Sequence, residues 1–206
     1  MRPLAGVLAL VACAWAVQAT DKPAADETGV MVYGKPDGDV PGWAINTIAP
    51  AGWTADCCQY ARAIGVNLVI YRGDWTGEPD RVMVLNVWPR KLPTLQAEWD
   101  ADRKKYLERD PAAKVEPFPI KANPQSGVSC SGGLYHGSDH VDDVVVFCDP
   151  GKTTGIRLSW SMTLSTPGGD RDQVLALFRK VVEQSFYMKY KDSRDNHGSA
   201  KGGARH

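Results

Sequence analysis

The chain carries 206 residues, and its 24 Lys and Arg are matched by 24 Asp and Glu. A length of this order gives one domain enough volume for a core of its own. The charge balance excludes a general electrostatic pull toward nucleic acid or an anionic membrane surface.

The first stretch has the anatomy of an export leader. Arg2 is the positive start, residues 4–17 are almost wholly apolar, and Val17-Gln18-Ala19 offers a small-residue cleavage site. Residues 1–19 are therefore expected to be removed as a signal peptide, leaving a periplasmic or secreted chain that starts near Thr20. No later apolar run is long enough to span a bilayer, so no transmembrane segment is expected. Leu10-Val11-Ala12-Cys13 also resembles the lipobox at which bacterial lipoproteins are cleaved and acylated, which makes a lipoprotein attached through Cys13 the alternative. The residues after Cys13 stay apolar instead of becoming a polar tether, and simple cleavage accounts for more of the leader.

Residues 20–42, with Pro, Asp, Lys and Gly, read as a flexible entry segment. Residues 66–71 and 82–88 are apolar on both alternating faces, as central strands are. Between them lies a long polar turn, 73–80. A helix follows Leu92-Pro93 with Thr94 as its cap; Leu95, Trp99, Tyr106 and Leu107 form its apolar stripe, and Asp110-Pro111 ends it. Residues 115–120 are a strand interrupted by Pro, hence an edge. Residues 131–138 and 142–149 read as the arms of a hairpin with its tip near Asp139. Over 156–164, Ile, Leu, Trp, Met and Leu alternate with Arg, Ser, Ser and Thr, which gives one buried and one polar face. The last helix has Asp170 as N-cap and Gln173 at capping-box spacing. Val174, Leu177, Phe178, Val181, Val182 and Phe186 then recur at helical spacing. The tail 189–206 is mildly basic and poor in aliphatic residues, and is expected to be disordered. Residues 43–188 thus make a single α+β domain on a mainly antiparallel sheet, since the elements do not alternate as βαβ units.

Cys57, Cys58, Cys130 and Cys148 remain after the leader, and an even number in an exported chain favours disulfides. Cys130 and Cys148 lie equally far from Asp139, so a regular hairpin sets them opposite each other at bridging distance. A bulge at Gly132-Gly133 would shift that register. Cys57 and Cys58 would then form a vicinal bridge or stay reduced; alternatively each bonds one arm of the hairpin.

Few constellations carry chemistry. His136, Asp139, His140 and Asp142 gather imidazoles and carboxylates at the hairpin tip, where they could hold a transition metal or calcium. They match no recognised ligand spacing and are also the residues of an ordinary solvated turn, so no metal and no cofactor are expected. Cys57 or Cys58 with His136 would supply a thiolate and a base, but export disfavours a free thiol. Ser129 and Ser131 lack the Gly-x-Ser-x-Gly elbow. Trp88, Trp99 and Trp160 fall on apolar faces and read as core. Trp75 sits in the polar turn between Gly73 and Gly77, and is the candidate binding residue: either an exposed anchor for a partner or a loop residue folded back to cap the sheet.

Ile48-Ala49-Pro50-Ala51-Gly52-Trp53 resembles the apolar-x-Pro-x-Gly-Trp opening of PsbP-like domains, a group that includes the photosystem II extrinsic protein and the DcrB-type periplasmic proteins. The later strands, helix, hairpin and closing helix follow in the same order over roughly residues 43–187. The resemblance implies an αβα sandwich without catalytic residues, acting in binding or assembly. The adjacent cysteines 57 and 58 are not part of that pattern. The expectation is an exported, non-catalytic binding or assembly protein of the bacterial cell envelope. Its partner would be an unidentified envelope protein, or a toxin if the chain is an immunity protein. The alternative is a small exported hydrolase or thiol-redox protein using Cys57 and Cys58.

Overall fold

Alternating apolar side chains decide the layering. A computed structural model describes residues 26–38, 40–75, 79, 81–121, 123–124, 126–165 and 169–190. In chain order its elements are β1 (Thr28–Gly34), β2 (Trp43–Ala49), β3 (Trp53–Asp56), α1 (Tyr60–Ala63), β4 (Leu68–Arg72) and β5 (Arg81–Pro89). Then follow α2 (Leu95–Arg109), β6 (Lys114–Pro117), β7 (Ser129–His136), β8 (Val141–Asp149), a short 3-10 turn at Lys152–Thr154, β9 (Ile156–Ser165), α3 (Arg171–Glu183) and β10 (Phe186–Lys189). Seven strands form one sheet in the order β3-β4-β5-β9-β8-β7-β6, and β1-β2-β10 form a smaller one. All the pairings are antiparallel.

On one face of the large sheet β9 contributes Ile156, Leu158, Trp160, Met162 and Leu164, all essentially buried. Val174, Phe178, Val181 and Val182 of α3 join that core, as do Val32, Trp43, Ile45 and Ala49 of the small sheet. The other face carries α1 and α2. The ring of Trp99 in α2 lies directly over Gly133, where an added Cβ would come within 1.7 Å of it, and it tilts against Tyr135 at 5.6 Å. Helices on both faces of an antiparallel sheet make this an α+β sandwich of αβα type.

The polar face of β9 is buried at Arg157 and Ser159 and reaches the surface at Thr163. Arg157 is fully buried under α2, with Nη1 2.7 Å from Asp149 Oδ2 and Nε 4.0 Å from Glu98 Oε1. Arg90 also pairs with Asp149. Burial favours the neutral form and lowers the Arg157 pKa, which the Asp149 charge opposes. A buried cation is tolerable only when paired, and α2 therefore turns Glu98 inward instead of an apolar stripe. Trp88 and Trp99, expected as core, are half-buried: Trp88 stands opposite Arg157 in the β5–β9 ladder, and Trp99 lies over Gly133.

Several local expectations need correction. The supposed flexible entry 20–42 contains β1, which pairs along its whole length with β2. The expected start of the tail belongs to β10, so the folded unit runs beyond 43–188 at both ends. Asp170 does not use its side chain to cap α3; its carboxylate is taken by Arg72 and Arg81 instead, at 2.7 and 3.0 Å. No bulge forms at Gly132-Gly133, because the β7–β8 register is continuous. The leader 1–19 with Cys13, residues 76–78 and 80 of the turn, and 191–206 of the tail lie outside the described residues.

Candidate interaction surface

The hairpin tip is tied into the fold. β7 and β8 set His136 opposite Asp142, with Nδ1 3.2 Å from Asp142 Oδ1. Asp142 is buried and accepts from Arg171 Nε at 2.9 Å, which links the tip to the start of α3. Asp139 Oδ1 accepts the Val141 N–H within the turn, where His140 adopts a positive φ of 64°. Asp110, at the end of α2, accepts the Ser138 N–H at 2.7 Å, and this bond holds its carboxyl below the usual range. Beneath the tip the buried Tyr135 donates to Asp102 Oδ2 at 2.9 Å; burial raises the pKa of both groups. Among the described residues no three His, Cys, Asp or Glu converge as metal ligands do. His136, Asp139 and Asp142 are spent on local contacts.

Cys130 and Cys148 are bonded across the β7–β8 ladder, with Cα atoms 4.1 Å apart. Cys57 and Cys58 are bonded to each other in the exposed bend after β3. Asp56 ends β3 and accepts the backbone N–H groups of Gln59, Tyr60 and Ala61, which starts α1 directly after the cysteines. His136 stands on β7, five strand positions from β3 in the large sheet, or about 24 Å at strand spacing. The cysteines and this histidine therefore do not form a nucleophile–base pair. Trp75 is half-buried: its ring stacks on Tyr60 at 5.0 Å and meets Tyr71 edge-on at 5.0 Å.

The most open apolar surface lies elsewhere. Four large hydrophobic residues are exposed among the described residues, and three of them, Met31 (57%), Tyr33 (53%) and Phe186 (36%), share the outer face of the small sheet. The register explains the grouping. Met31 and Phe186 flank Asn46 in one row, and Tyr33 and Met188 flank Ala44 in the next. Tyr190 stacks on Tyr33 with ring centroids 5.1 Å apart and planes 7° from parallel. The inner face of the same sheet is anchored by Ile45 in the core and by Thr47 Oγ1, which donates to the Val181 carbonyl of α3 at 2.9 Å. The outer face is thus a rigid apolar platform. Sequence reasoning missed it by reading 20–42, which holds β1, as a flexible entry and by placing Phe186 of β10 on the last helix.

No family model matches the chain. No curated protein matches it either. Among solved structures, the chain is similar to the solution structure of cyanobacterial PsbP (CyanoP) from Synechocystis sp. PCC 6803. The match has 16% identity, covers 79% of this chain and 93% of that one, and has a TM-score of 0.47. No functional property is carried over from it.

Proposed function

We propose that this chain is an exported, non-catalytic binding or assembly protein of the bacterial cell envelope, acting by protein–protein contact through the outer face of the small sheet. The observation that carries the reading is the concentration of exposed apolar side chains there: Met31, Tyr33 and Phe186 on one face, with the fourth exposed residue, Ile64, in the bend after α1. Scattered exposed hydrophobics are normal, whereas a contiguous set on a rigid element marks a contact site. Aromatic and methionine side chains are also the types enriched in interface cores. The separation of His136 from Cys57 and Cys58 speaks against the hydrolase alternative. The partner is an envelope protein of unknown identity; a toxin is one form it could take.

Photo-crosslinking tests this. A benzophenone side chain at Tyr33 is expected to form an adduct with an envelope protein in the producing cell, while the same group at Lys104, exposed on α2, forms none. Equal adducts from both positions, or none from Tyr33, would contradict the reading.

A further inference from the structure

We infer that the free edge of β1 pairs with the β1 of a second copy, antiparallel about Met31, joining two three-stranded sheets into one of six strands. The inference uses the same small sheet as the proposed contact face, but it does not depend on the envelope partner.

β1 is an end strand of its sheet, and end strands carry unpaired backbone groups that proteins guard with charge, Pro or brevity. The other end strands have such guards. β6 contains Lys114, Glu116 and Pro117, β3 is four residues long and closes on Asp56, and β10 is four residues long and closes on Lys189. β1 is seven residues, Thr-Gly-Val-Met-Val-Tyr-Gly, with neither charge nor Pro. A groove of about 440 Å³ lies between Thr28–Met31 of β1 and Trp53–Ala55 of β3, so β3 leaves room beside the first half of this strand. None of the groove-lining residues is charged.

The sequence of β1 also fits its own reverse. In an antiparallel pair centred on Met31, Val30 lies opposite Val32 of the partner subunit, which continues the inward-facing layer. On the outer face Met31 meets Met31 of the partner subunit. Tyr33 lies opposite Gly29 of the partner subunit, which has no side chain to displace the ring from Tyr190. This is the self-complementary contact that two-fold symmetry requires. Both outer faces then point the same way and merge into one platform of twice the width. Seven residues a side is well below the roughly 20–30 of a standard interface, so the dimer is expected to be weak and visible only at high concentration.

Sedimentation of the chain from residue 20 onward tests this over roughly 1 μM to 1 mM, the range in which weak pairs dissociate. Met31 is exposed, so a charge there leaves the fold intact, which the thermal melt verifies. Wild type is expected to show a dimer at the upper concentrations. Met31→Glu and Met31→Lys should each weaken it roughly tenfold, because like charges meet at the two-fold axis. An equal mixture of the two variants should restore association, since Glu then meets Lys. A monomeric wild type, a charged variant that dimerises like wild type, or a mixture that stays monomeric would each overturn the proposal. The last result would assign the edge to another occupant, such as an extended apolar peptide. The crosslinking experiment stays distinguishable, because a self-adduct has twice the chain mass and an envelope partner gives another mass.

Discussion

At the scale of single residues, two side chains show how tertiary contacts outrank local signals. Asp170 has the sequence position of a helix cap but serves as the shared acceptor of Arg72 and Arg81. These hydrogen bonds, Arg72 first, hold its carboxyl below the ordinary aspartate range. A carboxyl lowered in the folded state contributes stability that is present above its unfolded pKa and lost as pH falls through the folded one. Asp170→Asn should therefore flatten the acid side of the stability profile below about pH 4, where unfolded aspartate begins to take up protons. Urea unfolding of both proteins at pH 7 and in acid checks this; equal acid losses would contradict it. Gly133 is the second case. Its lack of a side chain makes room for Trp99, and Gly133→Ala should cost about 1–3 kcal/mol through overpacking, measurable by thermal melting. Trp75→Ala belongs to the same scale. Stacked on Tyr60 and edge-on to Tyr71, Trp75 should cost on the order of 2 kcal/mol on truncation, less than the roughly 3–5 of a fully buried tryptophan. An unchanged melting temperature would return it to the role of a free anchor.

At the scale of elements, the β7–β8 hairpin was legible because its residues report each other locally. Its two arms are close in sequence, its tip is polar, and the symmetry of Cys130 and Cys148 about Asp139 sets the register that pairs them. Cys130→Ser and Cys148→Ser should each destabilise the fold by about 2–4 kcal/mol, the usual effect of opening a loop of this size. The double variant should lose little more than either single one, since one bond is removed in all three. Clearly additive losses in denaturant titrations would show that the two cysteines serve different bridges. β9 was legible in its apolar half for the same reason. Its other half was not, because alternation marks Arg157 as polar without saying whether water or Glu98 and Asp149 lie above it. The small sheet was illegible for a different reason. β10 pairs with β2 from the far end of the chain, and no local window carries that information; β1 is the neighbour of β2 in sequence, but its apolar residues are not interleaved with polar ones as a half-exposed strand's are. β1 also lies in a stretch rich in Asp, Lys, Pro and Gly, and Phe186 of β10 continues the helical spacing of α3, so neither segment reads as a strand.

At the scale of the whole molecule, the large sheet carries helices on both faces while the small sheet keeps one face open. Ile45 and Thr47 secure its inner side to the core and to α3. The outer residues can therefore change without loosening the fold, which separates a binding role from a structural one. Trp75, the binding candidate that sequence singled out, lies on the α1 side of the large sheet and is largely occupied by its own aromatic neighbours. The open platform came from chain segments that carry no motif. Its role is tested most directly by the double substitution Met31→Ser and Phe186→Ser, read out as thermal stability together with crosslinking from Tyr33. The expected result is an unchanged melting temperature and a lost adduct. A melting temperature that falls steeply, or an adduct that survives at full yield, would contradict a contact role for this face.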